Sequence, residues 1–142
     1  MTNSGVAPYD PATLVGKVRV ITGDVNYGAI VAGFADYELF SDDEIESFLL
    51  IGEDNVLRAS GFAYLALAGR AAVDAKSVKD YDLSVDLRSR ADKLQAQANE
   101  FFNQADAKDV RDGVQDVFEL ANTGRSLTVD ELAEPTNWLW IL

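Results

Sequence analysis

Apolar residues recur most regularly between positions 83 and 105. Leu83, Leu87, Ala91, Leu94, Ala98, Phe101, Phe102 and Ala105 follow one another at spacings of three and four, apart from the adjacent Phe pair. That is the period of one helix face. Asp86, Arg88, Arg90, Asp92, Lys93, Gln97 and Glu100 fall on the opposite face. The spacing predicts an amphipathic helix over 85–106, one face buried and one wet. Ser84 is its expected N-cap, and Asp86 and Arg90 stand four apart in the favourable order for an ion pair. Asp106 to Asp112 breaks the pattern.

A second helix is expected over 54–77, beginning at Glu53-Asp54, but its pattern differs. Leu57 and Tyr64 fall on one face, Phe62 and Leu65 on another, and Leu67 on a third. A helix apolar all round is buried all round. Ala59, Gly61, Ala63, Ala66 and Ala68 would let neighbouring backbones approach closely. A chain of 142 residues holds few helices to surround this one. A neighbouring subunit is the expected cover, with Phe62, Tyr64, Leu65 and Leu67 at the interface.

The first half is less periodic. Residues 1–11 contain Gly5, Pro8 and Pro11 and read as an arm. Pro11 would open a short helix from Ala12 to Thr22, with Leu14, Val18 and Ile21 on one face and Gly23-Asp24 at its end. Lys17 to Ile21 also alternates as a strand does. Residues 25–40 hold Gly28, Gly33 and many β-branched or aromatic residues, and predict a loop with short extended or hairpin character. It is too apolar to be an idle connection, so it should pack on a partner or on the chain's own core. Ser41 and Glu44 form a capping box, with Asp42 and Asp43 at the positive end of the helix dipole. Ile45, Phe48 and Leu49 follow as an apolar face, and Gly52 ends that helix. Past residue 112, Val114, Val117, Phe118 and Ala121 fit either a helix or an extended segment. Thr128 to Glu131 is a second possible capping box before Pro135. The chain closes on Trp138, Leu139, Trp140, Ile141 and Leu142, after Asn137. Burying each large apolar side chain is worth roughly 1.5–3 kcal/mol, so this terminus should be docked.

The fold expected is therefore mainly α: a small helical bundle with a long central helix pair, a short extended or hairpin loop and an extended C-terminal tail. Its parts are an N-terminal arm at 1–11, a helical domain at 12–106 and a docking segment at 107–142. Length and the 48% hydrophobic share suit one globular core. No apolar run is long enough for a membrane span, and the first residues carry no signal-peptide pattern.

Charge changes the picture more than composition does. The net charge is −12. Residues 1–52 carry eight acids and two bases, and residues 112–142 six acids and one base. Residues 84–111 are balanced at five each. An acidic surface disfavours binding to DNA phosphates. Cys and His are both absent. Thiolate chemistry, zinc, haem and Ser-His-Asp catalysis thus lose their usual residues. No cofactor, no metal and no catalysis are expected.

Four candidate sites fit structure better than chemistry. Asp42, Asp43, Glu44 and Glu46 would suit a divalent cation, but helix capping already explains the first three. Asp80, Asp82, Ser84 and Asp86 resemble the opening of an EF-hand loop, but Val85 and Ala91 stand where its Gly and Glu belong. Gly16-Lys17 fails as a phosphate loop because Pro11 and Val18 occupy its other required positions. The bases from Arg58 to Arg111 alternate with acids, as on a solvated or salt-bridged face. Trp138 and Trp140 suit a ligand pocket, a partner interface or the chain's own core.

The order of motifs carries a family likeness. Phe40 to Ile45 opens one helix, Asn55 to Ala59 an Ala-rich next one, and Asp82 to Leu87 another that holds Ala91 and Ala98. After a short first helix, this series resembles the head-to-tail connector (adaptor, or head completion) proteins of long-tailed bacteriophages, over residues 12–106. The likeness implies a non-enzymatic virion protein made in the host cytoplasm. It implies a dodecameric homo-oligomeric ring under the portal that prolongs the DNA channel and docks the next neck protein. DNA would pass without sequence-specific binding, and acidic ends would line a channel that does not hold it. Phe118 and Trp138 to Leu142 would be the portal or partner docking residues. Two rivals remain: an acidic binding inhibitor that mimics DNA, and a metal-dependent enzyme using Asp42, Asp43 and Glu46.

Overall fold

The computed structural model describes residues 3–78 and 81–123, with backbone only at Tyr81, Ser84 and 114–123. In chain order the elements are β1 (Ser4–Val6), α1 (Leu14–Thr22), β2 (Phe34–Asp36), α2 (Asp42–Ile51), α3 (Val56–Ser77) and α4 (Tyr81–Thr123). The protein is thus mainly α with a small two-stranded sheet and a long helix pair, as the periodicity predicts. The chain divides into two compact units, Met1–Ala105 and Asp106–Leu142.

The first unit begins with part of the expected arm in use. β1 pairs antiparallel with β2, Gly5 opposite Ala35 and Val6 opposite Phe34. Between Val31 and Phe34 a two-residue turn closes with hydrogen bonds in both directions, at 2.8 and 3.1 Å. Ala32 and Gly33 both have positive φ, 54° and 84°. That is the type I′ turn whose twist suits a hairpin. A glycine at the second turn position meets this requirement and an alanine at the first does not.

α1 starts later than Pro11. Asp10 accepts from the Ala12 N–H at 2.8 Å, and the Thr13 N–H and hydroxyl both donate back to the Asp10 carbonyl. That turn uses up residues 10–13, and Thr13 then caps the helix by accepting from Gly16 at 3.0 Å. Gly23 in the left-handed conformation ends it. Val18 is buried as expected, whereas Leu14 is 40% exposed.

α2 carries the capping box in full: Ser41 Oγ accepts from the Glu44 N–H and Glu44 accepts from the Ser41 N–H. α3 begins after, not at, Glu53-Asp54. Both residues have positive φ and belong to the turn out of α2. Asn55 is the cap, accepting from the N–H groups of Leu57 and Arg58.

The core lies where α1, α2 and α3 meet. Val18, Phe40, Ile45, Leu49, Ala59 and Ala63 are buried together, and Phe40 meets Phe48 edge-on at 5.5 Å. α3 is not buried all round within one chain. Its covered side is Ala59, Ser60, Gly61, Ala63, Ala68, Ala71 and Ala75. Leu65, Gly69, Arg70 and Val73 are exposed. Phe62 and Tyr64 meet rings of α4 and Leu67 packs against the core, so the chain supplies much of what a second subunit was expected to supply.

α4 differs from its expected bounds at both ends. It starts at Tyr81, not near Ser84, and runs on through Asp106–Asp112 to Thr123. Its apolar series is placed as predicted: Ala98 and Ala105 are buried, and Leu87, Ala91, Leu94, Phe101 and Phe102 are half-buried. Only Leu83 of that series is exposed. In the second unit, Asp106–Gly113 are exposed along the helix. Ala107, Lys108 and Arg111 favour the helix here, whereas Asp106, Asp109, Asp112 and Gly113 do not, so intrinsic propensity alone does not account for its continuation.

Candidate functional site

Two constructions dominate the first unit, one polar and one aromatic. The polar one is centred on Arg19. Its side chain is fully buried beside an equally buried Asp24, with Arg19 Nη1 donating to Asp24 Oδ2 at 2.6 Å. The same nitrogen donates to the Phe40 carbonyl at 3.2 Å, and Nη2 donates to Asp42 Oδ1 at 2.5 Å. The guanidinium also lies 3.5 Å above the Tyr37 ring. Asp24 in turn accepts from the N–H groups of Leu39 and Phe40, at 2.9 and 3.1 Å. Asp42 accepts from the Val6 N–H at 2.8 Å. α1, the hairpin, the start of α2 and β1 are therefore tied to one cation. A buried charge is tolerable only when paired and hydrogen-bonded in this way. Burial raises the pKa of Tyr37 above its ordinary 10.0, against the Arg19 charge, which lowers it. Its hydroxyl donates to the Val6 carbonyl at 2.6 Å.

The aromatic construction joins α3 to α4, which run antiparallel. Phe62 meets Phe102 at 5.1 Å and Tyr64 stacks on Phe101 at 5.4 Å. Leu67 packs against the core. Of the four residues expected at a subunit interface, Phe62, Tyr64 and Leu67 thus have partners inside the chain. Leu65 is 36% exposed. Of the residues expected to dock on a portal or partner, Phe118 lies in α4 with its side chain outside the described residues. Trp138, Leu139, Trp140, Ile141 and Leu142 lie outside them altogether.

Asp42 and Glu44 are committed to protein partners. Asp42 holds Arg19 and the Val6 N–H. Glu44 caps α2 and pairs with Arg70 at 2.9 Å, both side chains being substantially exposed. Among the described residues no group of three or more His, Cys, Asp or Glu is placed to hold a metal ion. No described helix is long and apolar enough to cross a membrane.

What periodicity did not indicate is the Arg19 centre and the amount of apolar surface left open. Val6, Tyr27, Ile30, Val31 and Phe34 are exposed on or beside the hairpin, Val31 at 60%. Leu50 and Ile51 are exposed at the end of α2. One available signal for the buried pair was scarcity: the first 52 residues hold only two bases against eight acids. The chain matches no protein-family model, no curated protein and no solved structure.

Proposed function

We propose that this chain is a structural subunit of a phage head-to-tail connector, a ring-forming adaptor under the portal that acts without catalysis. One observation carries this reading: within eight residues of the hairpin, Tyr27, Ile30, Val31 and Phe34 are all exposed. A concentration of exposed apolar side chains of that kind marks an interaction site. Closed symmetry would cover it in every copy without open-ended aggregation. The motif order over residues 12–106 supports the choice of connector among assembly proteins. In this proposal Leu65 and the hairpin face a neighbouring copy, and residues 138–142 reach the portal. The next neck protein binds the opposite face, in the virion, while DNA passes through without sequence-specific contact.

The test is reconstitution. Purified chain is added to heads that carry the portal but lack a connector, and the heads are imaged in negative stain. A ring at the portal vertex and restored tail joining are expected. A chain truncated before Asn137 should seat poorly. Heads that gain no density and stay unjoined with the full chain would rule the connector out. Binding as a monomer or dimer to a nucleic-acid enzyme would favour the DNA-mimic inhibitor instead.

A further inference from the structure

Two adjoining depressions lie between the N-terminal part of α1 and α2, one towards the start of α2 and one towards its end. The first, of about 280 Å³, is lined by Val6, Tyr9, Asp10, Arg19 and Asp42 among others. The second, of about 380 Å³, is bounded by Leu14, Leu49, Leu50 and Asp54. Thr13, Val15 and Glu46 line both, so the two adjoin as one groove. Its apolar lining is open to water: Val6 is 53% exposed and Leu50 is 80% exposed. Neither takes part in the core.

The charges around this groove say what would cover it. Asp10, Asp42, Glu46 and Asp54 all border it. Among the described lining residues Arg19 is the only base, and it is wholly buried between Asp24 and Asp42. A second copy would have to offer a basic surface to the groove, yet residues 1–52 and 112–142 are acidic and residues 84–111 are only balanced. The chain's own apolar end would not help: residues 134–142 contain Glu134 and no base. Like charges facing one another disfavour both occupants.

We infer that the groove between α1 and α2 docks a cationic amphipathic segment of a different protein. Its apolar side chains would fill the two depressions, and its Lys or Arg residues would meet Asp10, Glu46 and Asp54. An amphipathic helix laid into an apolar groove is a common recognition mode, with anchors three, four or seven residues apart. The acidic rim would speed encounter and select against acidic partners. This docking surface meets the proposed ring surface only at Val6, which pairs with Phe34; Glu46, Leu50 and Asp54 lie outside the hairpin and α4, so changes there test the groove without touching the ring.

The probe is a fluorescent Leu/Lys amphipathic peptide of about 14 residues, long enough for helix formation once bound. Its counterpart has Glu at every Lys position. Anisotropy titrations use the full chain. The Leu/Lys peptide should bind saturably, more weakly at high salt, and the Leu/Glu peptide should not bind. Glu46→Lys and, separately, Leu50→Ser should each weaken binding by about tenfold or more, a difference of about 1.4 kcal/mol. Asp92→Lys, an equal charge change on the exposed side of α4, should leave binding within about twofold of the unchanged chain. Leu50 lies outside the core, so its replacement tests the groove even if Glu46→Lys perturbs folding. The inference is overturned by no saturable binding, by equal binding of the Leu/Glu peptide, or by equal loss in Asp92→Lys. It is also overturned if Leu50→Ser instead breaks up an oligomer of the chain, since a second copy would then occupy the groove.

Discussion

The two constructions in the first unit solve the same problem by opposite means. Around Arg19, elements distant in sequence are gathered by charge: one guanidinium meets carboxylates from residues 24 and 42 and the carbonyl of Phe40. Among the described residues of α3 and α4 no charged side chain is buried. The covered side of α3 is almost all Ala and Gly, and rings from α4 lie over it. Charge tolerates irregular backbone, because hydrogen bonds can reach across a loop. Close packing demands regular backbone, because a ring fits over Gly61 only if the helices keep their spacing. The first region is thus vulnerable to loss of one partner, and the second to gain of one methyl group.

The largest effect expected follows from that difference. Arg19→Met leaves Asp24 buried without its cation, and loss of one partner from a buried pair costs about 3–5 kcal/mol. Urea unfolding followed by circular dichroism measures it. If Arg19→Met and Asp24→Asn each cost less than about 1 kcal/mol, the pair is not what gathers these elements. The next effect belongs to the helix pair. A Cβ at Gly61 would lie 2.7 Å from the Phe102 ring, whereas one at Gly69, on the same helix, meets nothing within 4 Å. Gly61→Val should destabilise by about 1–3 kcal/mol through overpacking. Gly69→Ala should stabilise by about 0.5–1 kcal/mol through helix propensity. Equal signs for the two would mean that the seam does not constrain α3.

The smallest effect concerns Tyr37, which sits under the guanidinium. Its folded pKa is raised by burial. A raised pKa adds stability that is complete below the unfolded value near 10.0 and lost as pH rises through the folded value. Unfolding free energy should therefore fall above about pH 10, and Tyr37→Phe should flatten that fall. A parallel fall in Tyr37→Phe would assign it to other groups.

Legibility in the sequence follows the same division. The α2 capping box was readable in full because Ser41 and Glu44 form a local code four residues long. The buried series on α4 was readable because packing on one neighbour imposes a period. The length of α4 was not readable: a solvated helix carries no apolar period, so Asp106 to Asp112 looked like a break. Glu53 and Asp54 looked like a helix start because acids favour first turns, yet their left-handed backbone places them before it. The Arg19 centre left no local trace. Its partners lie five and 23 residues away, and a base between two valines looks like an exposed position on a short helix. Of the candidate interface, the hairpin was recognisable by its apolar, Gly-containing composition. The groove was not, because α1 and α2 contribute to it from separate segments.

Assembly is the claim on which the functional account rests, and copy number measures it most directly. Native mass spectrometry of the full chain, alone and after release from portal-bearing heads, reads that number. One closed oligomer of uniform copy number is expected in at least one of the two preparations. A monomer in both would contradict it.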